Sequence, residues 1–338
     1  MRCDPAEPAP HSPAGRDQPE EPSTTSPSSG GGFRIDATIQ YHPFDRLVHG
    51  DDYVSFSELK DRSPHAAEHG DLSFSLVQTD FAVHYGLSDT TEISVDVPYK
   101  WLSADSDLND AHHRDESLSG FGDVSLRLKH FFITKEKCQV VAIFGVSIPT
   151  GKIQNVPTAG FVEHHEEEEF GITAPHHSHL RLGTGTFDPI LGIEAIYRFD
   201  KRWLLFASAS GNFPFYENRY DYQTGISGIF QAGPAVRLGD SPVVLGLFGE
   251  IFWSERDHFD GEDVVGTLGT FDGTFDVPNT GRFEFSIKPT VTWELSERLT
   301  LNVQARFPLY TRIREGSGDE DVQTTEEWSI FAGLSYNF

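Results

Sequence analysis

Two sets of residues in this sequence have types and spacing suited to chemistry. The first is Glu163-His164-His165-Glu166-Glu167-Glu168-Glu169, followed shortly by His176-His177-Ser178-His179. Imidazole and carboxylate together suit borderline divalent ions such as zinc, copper or nickel. A loop could bring His164, His165, His176, His177 and His179 round one such ion, with His112 and His113 as further donors. The spacing matches no catalytic zinc motif of the His-Glu-x-x-His kind, and no cysteine lies nearby. Two readings therefore stand: a metal-collecting loop serving passage or efflux, or a solvated acidic loop that holds ions loosely. Beyond such an ion, no cofactor is expected.

The second set is a series of charges that recur on the polar side of alternating segments. It comprises Asp80, Glu92, Asp96, Lys100, Asp123, Arg127, Lys129, Glu194, Arg237, Glu250, Arg282, Glu284, Lys288 and Arg306, with Asp36, His84, Arg198 and Glu294 alongside. Both signs occur, so these side chains are expected to line a lumen and to pair across it, either bordering a pore or plugging it. Lipid hydrolysis would need a serine and a histidine together on a lipid-facing surface. His130 is the histidine expected on that surface, towards the periplasmic end and without a serine partner, so no enzymatic activity is expected.

The elements that must position these charges are β-strands. Leu299, Leu301, Val303, Ala305, Phe307 and Leu309 alternate with Thr300, Asn302, Gln304, Arg306, Pro308 and Tyr310. Period two puts all the apolar members on one face of a strand. The same alternation gives twelve strands: 33–42, 71–86, 90–103, 120–134, 138–149, 183–198, 202–215, 224–238, 242–255, 281–295, 299–312 and 326–338. A short run at 52–60 is a weaker thirteenth. Connections alternate between short (87–89, 135–137, 199–201, 239–241, 296–298) and long (43–70, 104–119, 150–182, 216–223, 256–280, 313–325). A soluble sandwich has no reason to sort its loops this way. A transmembrane antiparallel up-and-down β-barrel has short periplasmic turns, long extracellular loops and aromatic girdles at both interfaces. Tyr85, Trp101, Phe132, Tyr197, Trp203, Trp253, Trp293, Trp328, Tyr336 and Phe338 sit near strand ends, as such girdles require.

Composition agrees. No apolar run of 18 residues occurs, mean hydropathy is −0.38, and the chain holds 31 Gly and 27 Phe but one Met. A helical membrane protein is excluded. A net charge of −26 argues against nucleic acid as a partner. The long loops together carry −19 of that charge, a surface that attracts cations and repels anions. Cys3 and Cys138 are too few and too far apart in context for a disulfide framework. Residues 1–32 are Pro-, Ser- and Gly-rich and read as a disordered periplasmic tail before a barrel over 33–338. Met1 is followed by no apolar stretch, so the export signal a barrel needs is expected to be missing from this chain.

Gly120-Phe121-Gly122-Asp123, Ser147-Ile148-Pro149-Thr150-Gly151 and Asp96-Val97-Pro98-Tyr99 form a series with the closing Leu334-Ser335-Tyr336-Asn337-Phe338. Over most of 71–338 the chain resembles the outer-membrane transporter family linked to the meta-pathway of phenol degradation. That resemblance implies a porin-like channel for small solutes, including aromatic or hydrophobic compounds. The chain departs from the family in its acidic, His-rich loop and its long tail. The last strand, with Phe338, Tyr336 and Leu334 at alternate positions, also resembles the signal read by the barrel assembly machinery. Expected partners are therefore that machinery, outer-membrane lipids with lipopolysaccharide, and a small solute or ion, at the bacterial outer membrane.

Overall fold

The computed structural model describes residues 31–55, 57–58, 72–106, 116–153, 181–219, 221–260, 265–266, 269–270, 274–276, 281–313 and 322–338. The tail up to residue 30, the His/Glu run at 163–179 and the pair His112–His113 lie outside them.

Twelve strands form the wall. They are β1 (Phe33–His49), β2 (Leu72–Ser88), β3 (Thr91–Ser106), β4 (Glu116–Phe121 continued by Val124–Thr134), β5 (Cys138–Ile148) and β6 (Asp188–Arg198). There follow β7 (Trp203–Asn212), β8 (Ser227–Arg237), β9 (Val243–Ser254), β10 (Arg282–Glu294), β11 (Leu299–Ile313) and β12 (Val322–Glu326 continued by Ser329–Asn337). Each strand pairs antiparallel with its sequence neighbours. The ring closes because β1 pairs with β2 from Phe33↔Tyr85 to Phe44↔Phe74 and with β12 from Arg34↔Asn337 to Tyr41↔Ile330. The chain is thus an all-β, closed, twelve-stranded antiparallel barrel, and closure leaves no open sheet edge to satisfy.

Alternation sorts the side chains as a bilayer demands. Leu191, Ile193, Leu245, Leu247, Val291 and Trp293 point outward and are exposed, while Glu194, Glu250, Lys288 and Thr290 on the same strands are buried. An exposed belt of this kind is adverse in water and favourable against lipid tails. Most girdle aromatics lie on this outer surface, including Trp101, Phe132, Tyr197, Trp203 and Trp293.

Four departures from the sequence reading have local causes. β1 runs on to His49 instead of stopping at 42, because its upper part pairs with Val322–Glu326 on one edge and with Asp52–Val54 on the other. The expected thirteenth strand is that short hairpin arm, turning at Gly50, and not a wall strand. β6 begins at Asp188, not 183, because the residues before it fold away from the sheet. In β11, a register irregularity opposite Phe285 and Ser286 leaves Leu309 over, so Tyr310 turns outward and Thr311 inward.

The interior is sectored. An apolar cluster of Ile196, Phe206, Ala235, Val244 and Phe248, with Leu204, fills the periplasmic half along β6–β9. A second one, Phe44, Phe74, Leu76, Leu102, Ala104 and Leu182, with Leu118, lies in the extracellular half against β1–β4. These inner apolar positions escape simple alternation, since the inner and the outer face of segments such as 203–206 are both apolar.

Candidate functional site

Between the apolar clusters runs a belt of buried charges, and Arg306 is its centre. β11 directs Arg306 inward, where its guanidinium meets one carboxylate from each of three other strands. Nε donates to Glu250 (2.7 Å), Nη1 to Glu326 (2.8 Å) and Nη2 to Glu284. The fork geometry of arginine suits three partners at once, which a lysine could not match. Glu250 also accepts from Lys288 Nζ (2.9 Å), which lies 3.4 Å from Gln231 Oε1 and above the Phe331 ring. On the other flank Glu326 accepts from Ser329 (3.0 Å) and faces His42 Nδ1 (3.2 Å). His42 Nε2 contacts Gln40 (3.1 Å), and Gln40 and Gln78 both donate to Asp80 (2.5 and 2.6 Å). The belt therefore spans β8 to β2 across the ring closure.

A second cluster lies towards the periplasmic end. Arg34 reaches Asp36 (3.1 Å) and Glu92 (3.3 Å), and His84 bridges the same two carboxylates (2.9 and 3.0 Å). Arg127 faces Asp96 (3.6 Å) and Lys129 faces Glu194 (3.5 Å). At the periplasmic rim, Arg237 grips Glu294 through two bonds of 2.7 and 2.6 Å. Pairing is what allows these charges to be buried, since a lone buried ion costs several kcal/mol.

The extracellular end is crossed by the chain entering β6. Asp123, at the break in β4, accepts from the amides of Gly151 (2.8 Å) and Thr184 (2.7 Å) and from the Thr184 hydroxyl (3.1 Å). Thr150 ties the same corner by donating to Gly122 O (2.9 Å) and accepting from Val124 N (2.9 Å). Close approach here needs glycine: a Cβ on Gly183 would lie 2.3 Å from Asp123 Oδ1, and one on Gly151 would lie 2.9 Å from Gly183 Cα. Lys100 donates to Leu182 O (3.3 Å), and the Leu182 side chain seats in the extracellular apolar cluster. Asp123 and Lys100, expected as lumen charges, thus spend their polar groups on this strap. The Gly-Phe-Gly-Asp and Pro-Thr-Gly motifs are its anchor.

The strap's other hold is on the loops beyond β7 and β9. Arg181 binds Asp257 (3.2 Å) and stacks over the Tyr222 ring at 4.9 Å. Asp257 also accepts from the Tyr222 hydroxyl and from Gly225 N (2.7 Å). Burial pushes the Tyr222 phenol well above its usual range, and the Asp257 carboxylate adds to the effect. Burial works against the Arg181 cation, but its Tyr222 and Asp257 neighbours outweigh that and hold it charged. The strap thus ties the β3–β4 wall, through Lys100 and Asp123, to the loops beyond β7 and β9, through Tyr222 and Asp257.

His130 is exposed at the periplasmic end, where its Nδ1 contacts the Thr91 hydroxyl (3.1 Å). Among the described residues, no group of three or more His, Cys, Asp or Glu is placed to hold a metal ion.

No protein-family model and no curated protein matches the sequence. Solved structures match its fold. The crystal structure of an outer membrane channel from Pseudomonas putida F1 has a TM-score of 0.64 at 13% identity, over 94% of this chain and 100% of that one. Weaker likenesses include the NanC porin (TM-score 0.44, 6% identity, 90% and 100% covered) and the TodX monoaromatic hydrocarbon channel (0.42, 9%, 91% and 90%). Sequence patterning, closed topology and this likeness agree that the chain has the fold of a bacterial outer-membrane β-barrel.

Proposed function

We propose that this barrel is a passive outer-membrane channel for small solutes, narrowed first by the 181–187 strap and then by the charged belt. The observation that carries the reading is the interior itself. A barrel built only for structure gains most by filling its inside with apolar side chains, whereas this one buries Arg306, Glu250, Glu284 and Lys288 at mid-height. Polar, paired lining is the arrangement from which selective pores are made. The inner wall along β5–β9, with Val141, Ile143, Ile190, Phe206 and Phe248, adds a nonpolar track. It supports passage of solutes with an apolar or aromatic portion.

Single-channel recording in planar bilayers, together with liposome swelling, tests the proposal. Small discrete conductance steps and solute-dependent swelling are expected. No current at any voltage and no swelling with any solute would remove it. The metal-collecting reading rests on the composition of 163–179. Zinc titration of the whole chain against a variant lacking 163–179 decides that question, and equally weak binding by both disposes of it.

A further inference from the structure

At the extracellular side of the belt, β10 and β11 leave a cluster of polar groups unmet among the described residues. Arg282, on the extracellular side of Glu284 in β10, is more than nine-tenths buried and lies over the Phe252 ring at 5.1 Å. Among the described residues, its Nε and Nη1 have no hydrogen-bond partner. The closest carboxylate oxygen, Glu284 Oε2, stands 4.0 Å from Nε, too far for a bond, and is itself without a partner. Thr311, whose backbone pairs with that of Glu284 in the next strand, buries its hydroxyl completely and leaves Oγ1 unbonded. The neighbouring Arg306, Lys288 and Glu250 find partners, whereas Arg282, Glu284 and Thr311 bring unmet donors and acceptors together at one place.

Unmet buried polar groups are costly, about 1–3 kcal/mol each, so the gap favours an occupant that satisfies them. Separation and polarity define its chemistry. An oxygen at ordinary hydrogen-bond distance from both Nε and Oε2 can accept from the guanidinium and donate to the carboxylate. A hydroxyl does both. A bare anion satisfies Arg282 but meets Glu284, with Glu326 and Glu250 behind it. A bare cation satisfies Glu284 but meets Arg282, with Arg306 and Lys288 behind it. Water can make both bonds and is readily exchanged for a solute hydroxyl of the same geometry.

We propose that the Arg282–Glu284–Thr311 gap is a solute-reading subsite that accepts neutral, hydroxyl-bearing molecules and turns away ions of either sign. The inference rests on the channel reading above and sharpens it by naming the solute class.

The test is swelling of liposomes carrying the full chain, with three hydroxylated probes that differ in charge: arabinose, gluconate and N-methylglucamine. Each ion meets one like-signed group in the gap, a penalty on the scale of one hydrogen bond or about threefold to tenfold, so arabinose is expected to enter at least about threefold faster than either ion. Arg282→Gln leaves Glu284 without its facing cation and is expected to raise N-methylglucamine entry relative to arabinose. Thr311→Val keeps the shape, removes the hydroxyl, and is expected to slow arabinose about threefold while leaving the ratio of the two ions unchanged. Heat-dependent gel mobility confirms that each variant is folded. Equal entry of the three probes through the parent protein, or unchanged ratios in folded Arg282→Gln, would overturn the subsite while leaving the channel intact. No entry of any probe would instead bring down the channel reading, and the subsite with it.

Discussion

At the residue scale, Arg306 illustrates how a buried charge is tolerated. Its guanidinium is surrounded by Glu250, Glu284 and Glu326, and each carboxylate has a further donor or cation nearby. Arg306→Met would strand three buried acids on one side of the lumen. Breaking a buried ion pair by removing one partner costs about 3–5 kcal/mol, and at least that loss is expected in urea unfolding from micelles. Arg306→Lys keeps the charge but not the fork, so its midpoint is expected between those of parent and Arg306→Met. Asp200 works on a smaller scale at a periplasmic turn, accepting from Arg202 N (2.7 Å) and Trp203 N (2.8 Å). Those amides, Trp203's first, hold its carboxyl below the usual range. A depressed folded-state pKa gives stability that is present above the ordinary carboxylate range and lost as pH falls through the depressed value. Asp200→Asn is therefore expected to lose less stability on acidification than the parent, measured as urea midpoints at neutral and acid pH.

Among the elements, the strap at 181–187 is the one whose role depends on contacts far away in sequence. Its anchors are Asp123 on one side and Asp257 on the other. Asp123→Ala removes the acceptor for two amides and one hydroxyl, and conductance is expected to rise with little change in the barrel's own unfolding. Gly183→Ala is expected to do the same by a different route, because its Cβ would collide with the Asp123 carboxylate. Parallel single-channel amplitudes for the two variants would show that the anchor, and not the side chain alone, sets the opening. The sequence gives notice of this corner through Gly122-Asp123 and Pro149-Thr150-Gly151. It cannot show that Thr184 comes to meet them, because Thr184 lies 61 positions from Asp123, beyond the rest of β4, β5 and a long connection.

For the whole molecule, the decisive property is the inversion of polarity between inside and outside. Ile193 is 47% exposed on the outer face of β6, while its neighbour Glu194 is 9% exposed on the inner face. Ile193→Arg is expected to cost about 2–4 kcal/mol in a bilayer, the range for a cation on the lipid face near the midplane. In a water-soluble barrel the same exposed substitution would cost almost nothing. Unfolding titrations in vesicles measure the difference directly.

Strand number, closure and the outer face were legible because each depends on period two and loop length, which any residue displays without knowing its partner. Segments 282–294 and 299–309 show this plainly. What the tertiary structure alone decided are matters of pairing across the lumen: which carboxylates surround Arg306, which charge is left at Arg282, and where the strap is held. Those contacts join strands several places apart round the ring, and their energies depend on distances that a one-dimensional pattern does not contain. The inner apolar sector belongs to the same class, since alternation does not say which side faces the lumen where both faces of a strand are apolar, as at 203–206.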